Sequence, residues 1–76
     1  MTEVRVGIVG GGLMGRELAA AIGRWAALCD HPVRPLLRAV CDTSPQALAW
    51  FERIGTVRTL TDDRRRLLED PDVDVL

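Results

Sequence analysis

The chain has 76 residues and contains no lysine and no tyrosine, one histidine, one phenylalanine and two tryptophans. All ten of its cationic side chains are arginines. Without lysine no Schiff base can form, and neither lysine nor tyrosine can act here as a general acid. The two cysteines, Cys29 and Cys41, stand twelve residues apart with no C-x-x-C pair, so neither a metal knuckle nor a dithiol redox centre is expected. Cys41 is expected to pack as a small apolar residue inside a strand. The net charge of −1 gives no electrostatic case for nucleic acid as a partner. No apolar run approaches membrane-spanning length, so no membrane partner is expected. The chain enters a β-branched apolar segment at Val4 rather than a leader, which makes the cytoplasm the expected compartment.

What remains is an ordinary globular composition, 47% hydrophobic, in a length that allows one small domain over residues 1–76. A chain of this size buries only about 60% of its unfolded surface, so its stability margin is narrow.

The most informative segment starts at Val4. Val4, Val6, Ile8 and Val9 form the β-branched run of a buried strand. Gly10, Gly12 and Gly15 then follow at the spacing G-x-G-x-x-G, and a helix pattern begins at Leu13. Strand, glycine turn and helix start in that order are the context in which this spacing signals a dinucleotide site. Gly10 permits the tight turn, Gly12 lets the backbone approach a pyrophosphate, and Gly15 allows the helix to lie close to the sheet. Free N–H groups and the positive dipole end of the first helical turn face the bound phosphates. A glycine-rich turn that binds nothing is the plainer alternative.

Along the rest of the chain, periodicity predicts strands over residues 4–9, 36–41, 57–60 and 73–76. A first helix is expected over 13–28, with Met14, Leu18, Ile22 and Trp25 as its inward stripe. Residues 29–35 read as a loop broken by Pro32 and Pro35. Ser44-Pro45 reads as the start of a second helix whose buried stripe is Ala47, Leu48, Phe51 and Ile54, with Gly55 as a left-handed stop. Thr61 is expected to cap a third helix, with Asp62 and Asp63 in its first turn and Leu67 and Leu68 facing inward. The alternation of strands and helices gives an α/β fold, a doubly wound parallel sheet of strand order 3-2-1-4 with helices on both faces. Only the beginning of the fourth strand lies within the chain.

Asp42 closes the second strand, 27 residues past Gly15. A carboxylate there suits the ribose hydroxyls of a dinucleotide, although the usual spacing is about 20. The long first helix and the proline-bearing loop account for the excess. The structural alternative is a helix cap, a job that Thr43 and Ser44 can also do. A 2′-phosphate beside Asp42 would meet like-charge repulsion, and Arg38 lies too far back along the strand to offset it. NAD is therefore favoured as cofactor, with NADP the alternative because Thr43 and Ser44 offer hydroxyls.

Other residues read more plainly. His31 lies at the amino end of the strands, away from the end where ligands bind. Arg64, Arg65 and Arg66 read as a solvated helix face among Asp62, Asp63, Glu69 and Asp70. Trp25 and Trp50 read as packing residues. Asp70, Asp72 and Asp74 resemble a metal cluster in composition only.

Three segments, VRVGIVGGGLMGRELAAAI (residues 4–22), LLRAVCDTSPQALAWFERIG (36–55) and TLTDDRRRLLEDPDVDVL (59–76), together make the chain resemble the amino-terminal part of the Gfo/Idh/MocA oxidoreductases. The resemblance spans essentially the whole chain. It implies a Rossmann domain that binds NAD or NADP, followed in the family by a larger substrate domain. Family members oxidise or reduce sugars, inositols and related hydroxyl or carbonyl compounds. By this resemblance Gly10, Gly12, Leu13 and Met14 contact the pyrophosphate and Asp42 the ribose. Alanine is common in the family where Gly11 stands, and is expected to leave binding intact. The family's Glu-Lys-Pro motif and its catalytic acid/base residues lie beyond residue 76, so no catalytic residue is assigned and no independent turnover is expected.

Competing readings are a non-enzymatic nucleotide-binding module or remnant, an FAD site, and a methyltransferase loop. FAD enzymes usually prefer glutamate at the end of the second strand, and the spacing from Gly12 to Gly15 fits a dinucleotide better than a methyl donor. The unpaired edge of the last strand is a candidate surface for self-association.

Overall fold

The computed structural model describes residues 2–28 and 33–76. The elements are β1 (Thr2–Val9), α1 (Leu13–Leu28), β2 (Val33–Cys41), α2 (Pro45–Phe51), β3 (Thr59–Thr61) and α3 (Arg64–Leu68). The three strands form one parallel sheet in the order β1-β2-β3. Of the expected fourth strand over 73–76, the structure forms a single parallel bridge between Val6 and Val75. Cys29, Asp30, His31 and Pro32, including the histidine weighed above, lie outside the described residues.

β2 begins at Val33 rather than at Leu36, and Pro35 lies inside it, paired with Val4. β3 reaches only Ala39, Val40 and Cys41 of β2, so at Pro35 one edge of the strand is unpaired and a missing N–H is tolerated. A bulge follows. Val6 pairs with Leu37 and Gly7 with Ala39, which leaves Arg38 as an extra residue. One extra residue reverses the inward–outward alternation beyond it. Leu37 and Val40 consequently join one cluster with Ile8, Ala19 and Phe51, while Ala39 and Cys41 join another with Leu67.

The helices differ from the expected pattern in several places. α1 has the expected bounds, but among its described side-chain positions the buried residues are Gly15 and Ala19, while Met14 and Leu18 are exposed. Helix and sheet lie too close at this end for a larger side chain to fit between them. α2 stops at Phe51, and Ile54 packs from a turn in which its N–H donates to the Phe51 carbonyl at 3.1 Å. Gly55 is no left-handed stop, because Gly10 alone among the described glycines has positive φ. β3 is shifted towards Thr61, which therefore ends a strand instead of capping α3; Asp63 is the cap, accepting from the Arg65 N–H at 3.0 Å. With the helix starting later, Asp62 falls outside its first turn and Leu68 faces solvent, leaving Leu67 as the buried anchor.

Candidate functional site

β1 and β2 end together, with Val9 paired to Cys41 and the Gly10 N–H donating to the Cys41 carbonyl at 2.8 Å. The chain turns at Gly10, whose φ of +100° is a conformation that side-chain-bearing residues avoid. At Gly15 a Cβ would sit 2.5 Å from the Gly10 carbonyl oxygen, so α1 starts in direct contact with the turn. At Gly12 a Cβ would meet nothing within 4 Å. The loop is thus tight behind and open in front, the form that a pyrophosphate seat requires.

The first intrahelical bond runs from the Arg16 N–H to the Gly12 carbonyl at 3.0 Å. The N–H groups of Leu13, Met14 and Gly15 precede it and have no intrahelical acceptor. Leu13 and Met14 expose their side chains beside this open turn.

Asp42 follows β2 and reaches across to the glycine loop. Its Oδ2 accepts from the Gly11 N–H at 2.6 Å and its Oδ1 from the Ser44 N–H at 2.7 Å. The N–H groups of Ser44, Gly11 and Thr43 hold its carboxyl below the usual range against an opposing effect of burial. The carboxylate therefore stays ionised at neutral pH, and each oxygen keeps capacity for a further donor. It is not the cap of α2; Ser44 is, its Oγ accepting from the Ala47 N–H at 3.3 Å.

Sequence reasoning missed three features here. Gly11 is buried, and a Cβ on it would lie 2.9 Å from Phe51 Cε2, so alanine does not fit this chain freely. Trp50 joins the first two helices: Arg16 lies 5.1 Å and Arg53 5.5 Å from its ring centroid, and Phe51 meets it edge-on at 4.9 Å. Arg64, Arg65 and Arg66 are exposed, as expected of a solvated face, but Arg64 has a further position. With Asp62 it lines a cleft of about 280 Å³ together with Val9, Gly10, Cys41, Asp42 and Thr43. The first could not be read from spacing, because Phe51 arrives from another element.

Cys41 lies at the base of this cleft, and burial, followed by the carboxylates of Asp63, Asp42 and Asp62, pushes its thiol pKa up. It packs with Ala39 and Leu67, the role expected of a small apolar residue inside a strand. Asp72 and Asp74 are engaged elsewhere, 2.7 and 3.0 Å from the Arg5 guanidinium. Among the described residues no helix is long and apolar enough to cross a membrane.

No protein-family model matches the chain. Levoglucosan dehydrogenase of Pseudarthrobacter phenanthrenivorans is 28% identical over 81 residues, an alignment that takes in 100% of this chain and 20% of that protein. Among solved structures, levoglucosan dehydrogenase in complex with NADH matches with a TM-score of 0.80 at 27% identity, over 95% of this chain and 20% of the other. The complex with NADH and L-sorbose matches with a TM-score of 0.81 at 28% identity, over 96% and 20%. The apo form gives 0.79 at 28%, over 96% and 19%. The chain therefore spans about a fifth of the length of these relatives.

Proposed function

We propose that this chain is the cofactor-binding part of a nicotinamide-dependent oxidoreductase of the Gfo/Idh/MocA kind, with NAD as its cofactor. The observation that carries this reading is the 2.6 Å bond from the Gly11 N–H to Asp42, which joins the glycine turn and the acidic strand end into one site. The open face of Gly12 fits a pyrophosphate, received by Gly10, Gly12, Leu13, Met14 and Gly15. Asp42 takes the adenine ribose hydroxyls with the acceptor capacity that Gly11 and Ser44 leave free. The likeness to NADH complexes of a dehydrogenase supports the same cofactor.

NAD is preferred over NADP for an electrostatic reason. Two unit charges 4 Å apart repel by about 4 kcal/mol at an effective dielectric of 20. Asp42 is fixed by two backbone donors and cannot turn away from a 2′-phosphate. Arg38 is engaged away from it, with Nε 3.6 Å from Asp72.

When bound, the nicotinamide carries the hydride, and the protein's task is orientation. The substrate class is a sugar- or inositol-like hydroxyl or carbonyl compound, in keeping with the levoglucosan dehydrogenase relatives. In the whole fold, the Val6–Val75 bridge is the start of a fourth strand in the order 3-2-1-4. The separate clusters around Phe51 and Leu67 correspond to the two helical layers of a doubly wound sheet. The proposed setting is cytoplasmic, and the unpaired edge at Val75 is a surface for self-association.

Titration of the chain with NADH, followed by nicotinamide fluorescence, tests the reading. The parent chain binds without turnover on its own. Gly12→Val abolishes binding while its melting temperature stays within a few degrees of the parent, since the added methyls point into open space. Undiminished NADH affinity in this variant removes the proposed pocket.

A further inference from the structure

α1 carries two rows of small and apolar residues, and the fold buries one of them. Gly15 and Ala19 are buried and Ile22 is partly so, with Ala19 and Ile22 in the cluster around Phe51. Met14, Leu18, Ala21 and Trp25 form the other row, at intervals of four, three and four residues. At 3.6 residues per turn those intervals keep all four within about 60° of the helix circumference. Met14 is 81% and Leu18 48% exposed; Ala21 is exposed and Trp25 half-buried. Trp25 Nε1 donates to the Val33 carbonyl at 2.9 Å, which holds its indole at the far end of the row.

The alternation of four and three is the seam of a coiled coil, with Met14 and Ala21 at d positions and Leu18 and Trp25 at a positions. One flank of the seam, the e positions Gly15 and Ile22, lies against the chain's own core. The other flank, the g positions, holds Glu17 and Arg24. Both are exposed, and neither belongs to the ion pairs among the described residues, which engage Arg5, Arg38 and Arg65.

We infer that this face of α1 is the interface of a homodimer, in which a second copy of the chain lays its own α1 antiparallel along the seam. A two-fold contact must complement itself, and this row does so. Leu18 packs on the second copy's Ala21, and Ala21 on the second copy's Leu18. At the two ends Met14 meets the indole of the second copy's Trp25, a thioether–aromatic contact. The charges fix the direction, because flanking residues set orientation in such pairs. Antiparallel helices bring g beside g, so Glu17 lies by the second copy's Arg24 and Arg24 by the second copy's Glu17. A parallel pair would set Glu17 beside the second copy's Ile22 and leave both charges without a partner. Exposed ion pairs add little affinity, so their effect is on register and direction. With 16 residues, α1 is roughly 24 Å long. One such helix is a smaller contact than the roughly 800 Å² per partner of a standard interface, so the dimer forms at about 100 μM. This surface is separate from the sheet edge at Val75, and the inference does not depend on the dinucleotide reading.

The test is sedimentation equilibrium of the 76-residue chain from about 10 μM to about 1 mM. The parent is expected to show a reversible monomer–dimer equilibrium with no larger species, since a two-fold contact closes on itself. Leu18→Glu stays monomeric throughout, because two carboxylates would meet the apolar seam. Glu17→Arg and Arg24→Glu each weaken the dimer about three- to tenfold by turning both ion pairs into like-charge contacts. Combined in one chain, the two exchanges restore the parent affinity. Residues 17 and 24 are exposed, so these variants keep the parent's circular dichroism and melting temperature. A parent that is monomeric at about 1 mM overturns the inference. So does Leu18→Glu associating as the parent does, which would place the contact on another surface such as the sheet edge. A double exchange that binds no tighter than either single one overturns the antiparallel pairing.

Discussion

A methyl group at Gly15 would sit 2.5 Å from a backbone oxygen, whereas one at Gly12 would touch nothing within 4 Å. The two glycines therefore fail differently. Gly15→Ala should push α1 off the turn and destabilise the fold by about 1–3 kcal/mol, read as a lower denaturant midpoint. Gly12→Val should leave that midpoint alone and remove cofactor binding. Asp42 combines both kinds of role, since it fixes the Gly11 and Ser44 N–H groups and also faces the cleft. Asp42→Ala should weaken NADH by about 10- to 100-fold, with a smaller loss for NADPH because repulsion of the 2′-phosphate is relieved at the same time. Equal losses for the two cofactors would remove the ribose role. Spacing identified Gly10, Gly12 and Gly15 as candidates, and a place at the end of the second strand identified Asp42. Neither could identify Gly11, whose neighbour Phe51 is forty residues away in sequence.

Among the elements, the attachment of residues 72–75 to β1 has the clearest pH signature. The Arg5 N–H and Nε donate to Asp74 Oδ2 at 2.8 and 3.1 Å, and the Arg5 carbonyl accepts from the Asp74 and Val75 N–H groups at 2.7 and 3.3 Å. The Arg5 side chain and then its backbone N–H hold the Asp74 carboxyl below its usual range. A folded-state pKa below the unfolded one gives stabilisation that is present above the ordinary carboxylate value and is lost as pH falls through the lowered one. The expected outcome is that the protection of the Gly7 N–H, which donates to the Val75 carbonyl at 2.8 Å, relative to the free-amide exchange rate falls below about pH 4 ahead of that of the β1–β2 ladder. Arg5→Ala should show the same early exchange at neutral pH. Element types were legible from periodicity, because burial against a sheet imposes it. Boundaries were not: the bulge at Arg38 changes which side chains of β2 share a face, and an arginine interrupting an apolar run does not by itself specify a bulge. The late start of α3 likewise follows from Thr61 pairing with Cys41, a contact made between strands.

For the molecule as a whole, a domain this small has only a few kcal/mol of net stability to lose. Phe51 is fully buried in the cluster between α1, α2 and the sheet, and its ring also faces Gly11. Phe51→Ala should cost about 3–5 kcal/mol and leave the chain largely unfolded, as circular dichroism would show. NADH at a hundred times its Kd should add about 2.7 kcal/mol to the parent and raise its melting temperature. Sequence by itself determined the parallel α/β class, the glycine turn and the acidic strand end, because each follows from residue type at short range: β-branched runs, missing side chains and a carboxylate after a strand. Only the tertiary structure decided that Asp42 bonds to Gly11, that Gly11 has no room for a methyl group, and that Asp62 and Arg64 border the same cleft. Those relations depend on strand pairing and helix packing, which bring together groups that no window along the chain contains.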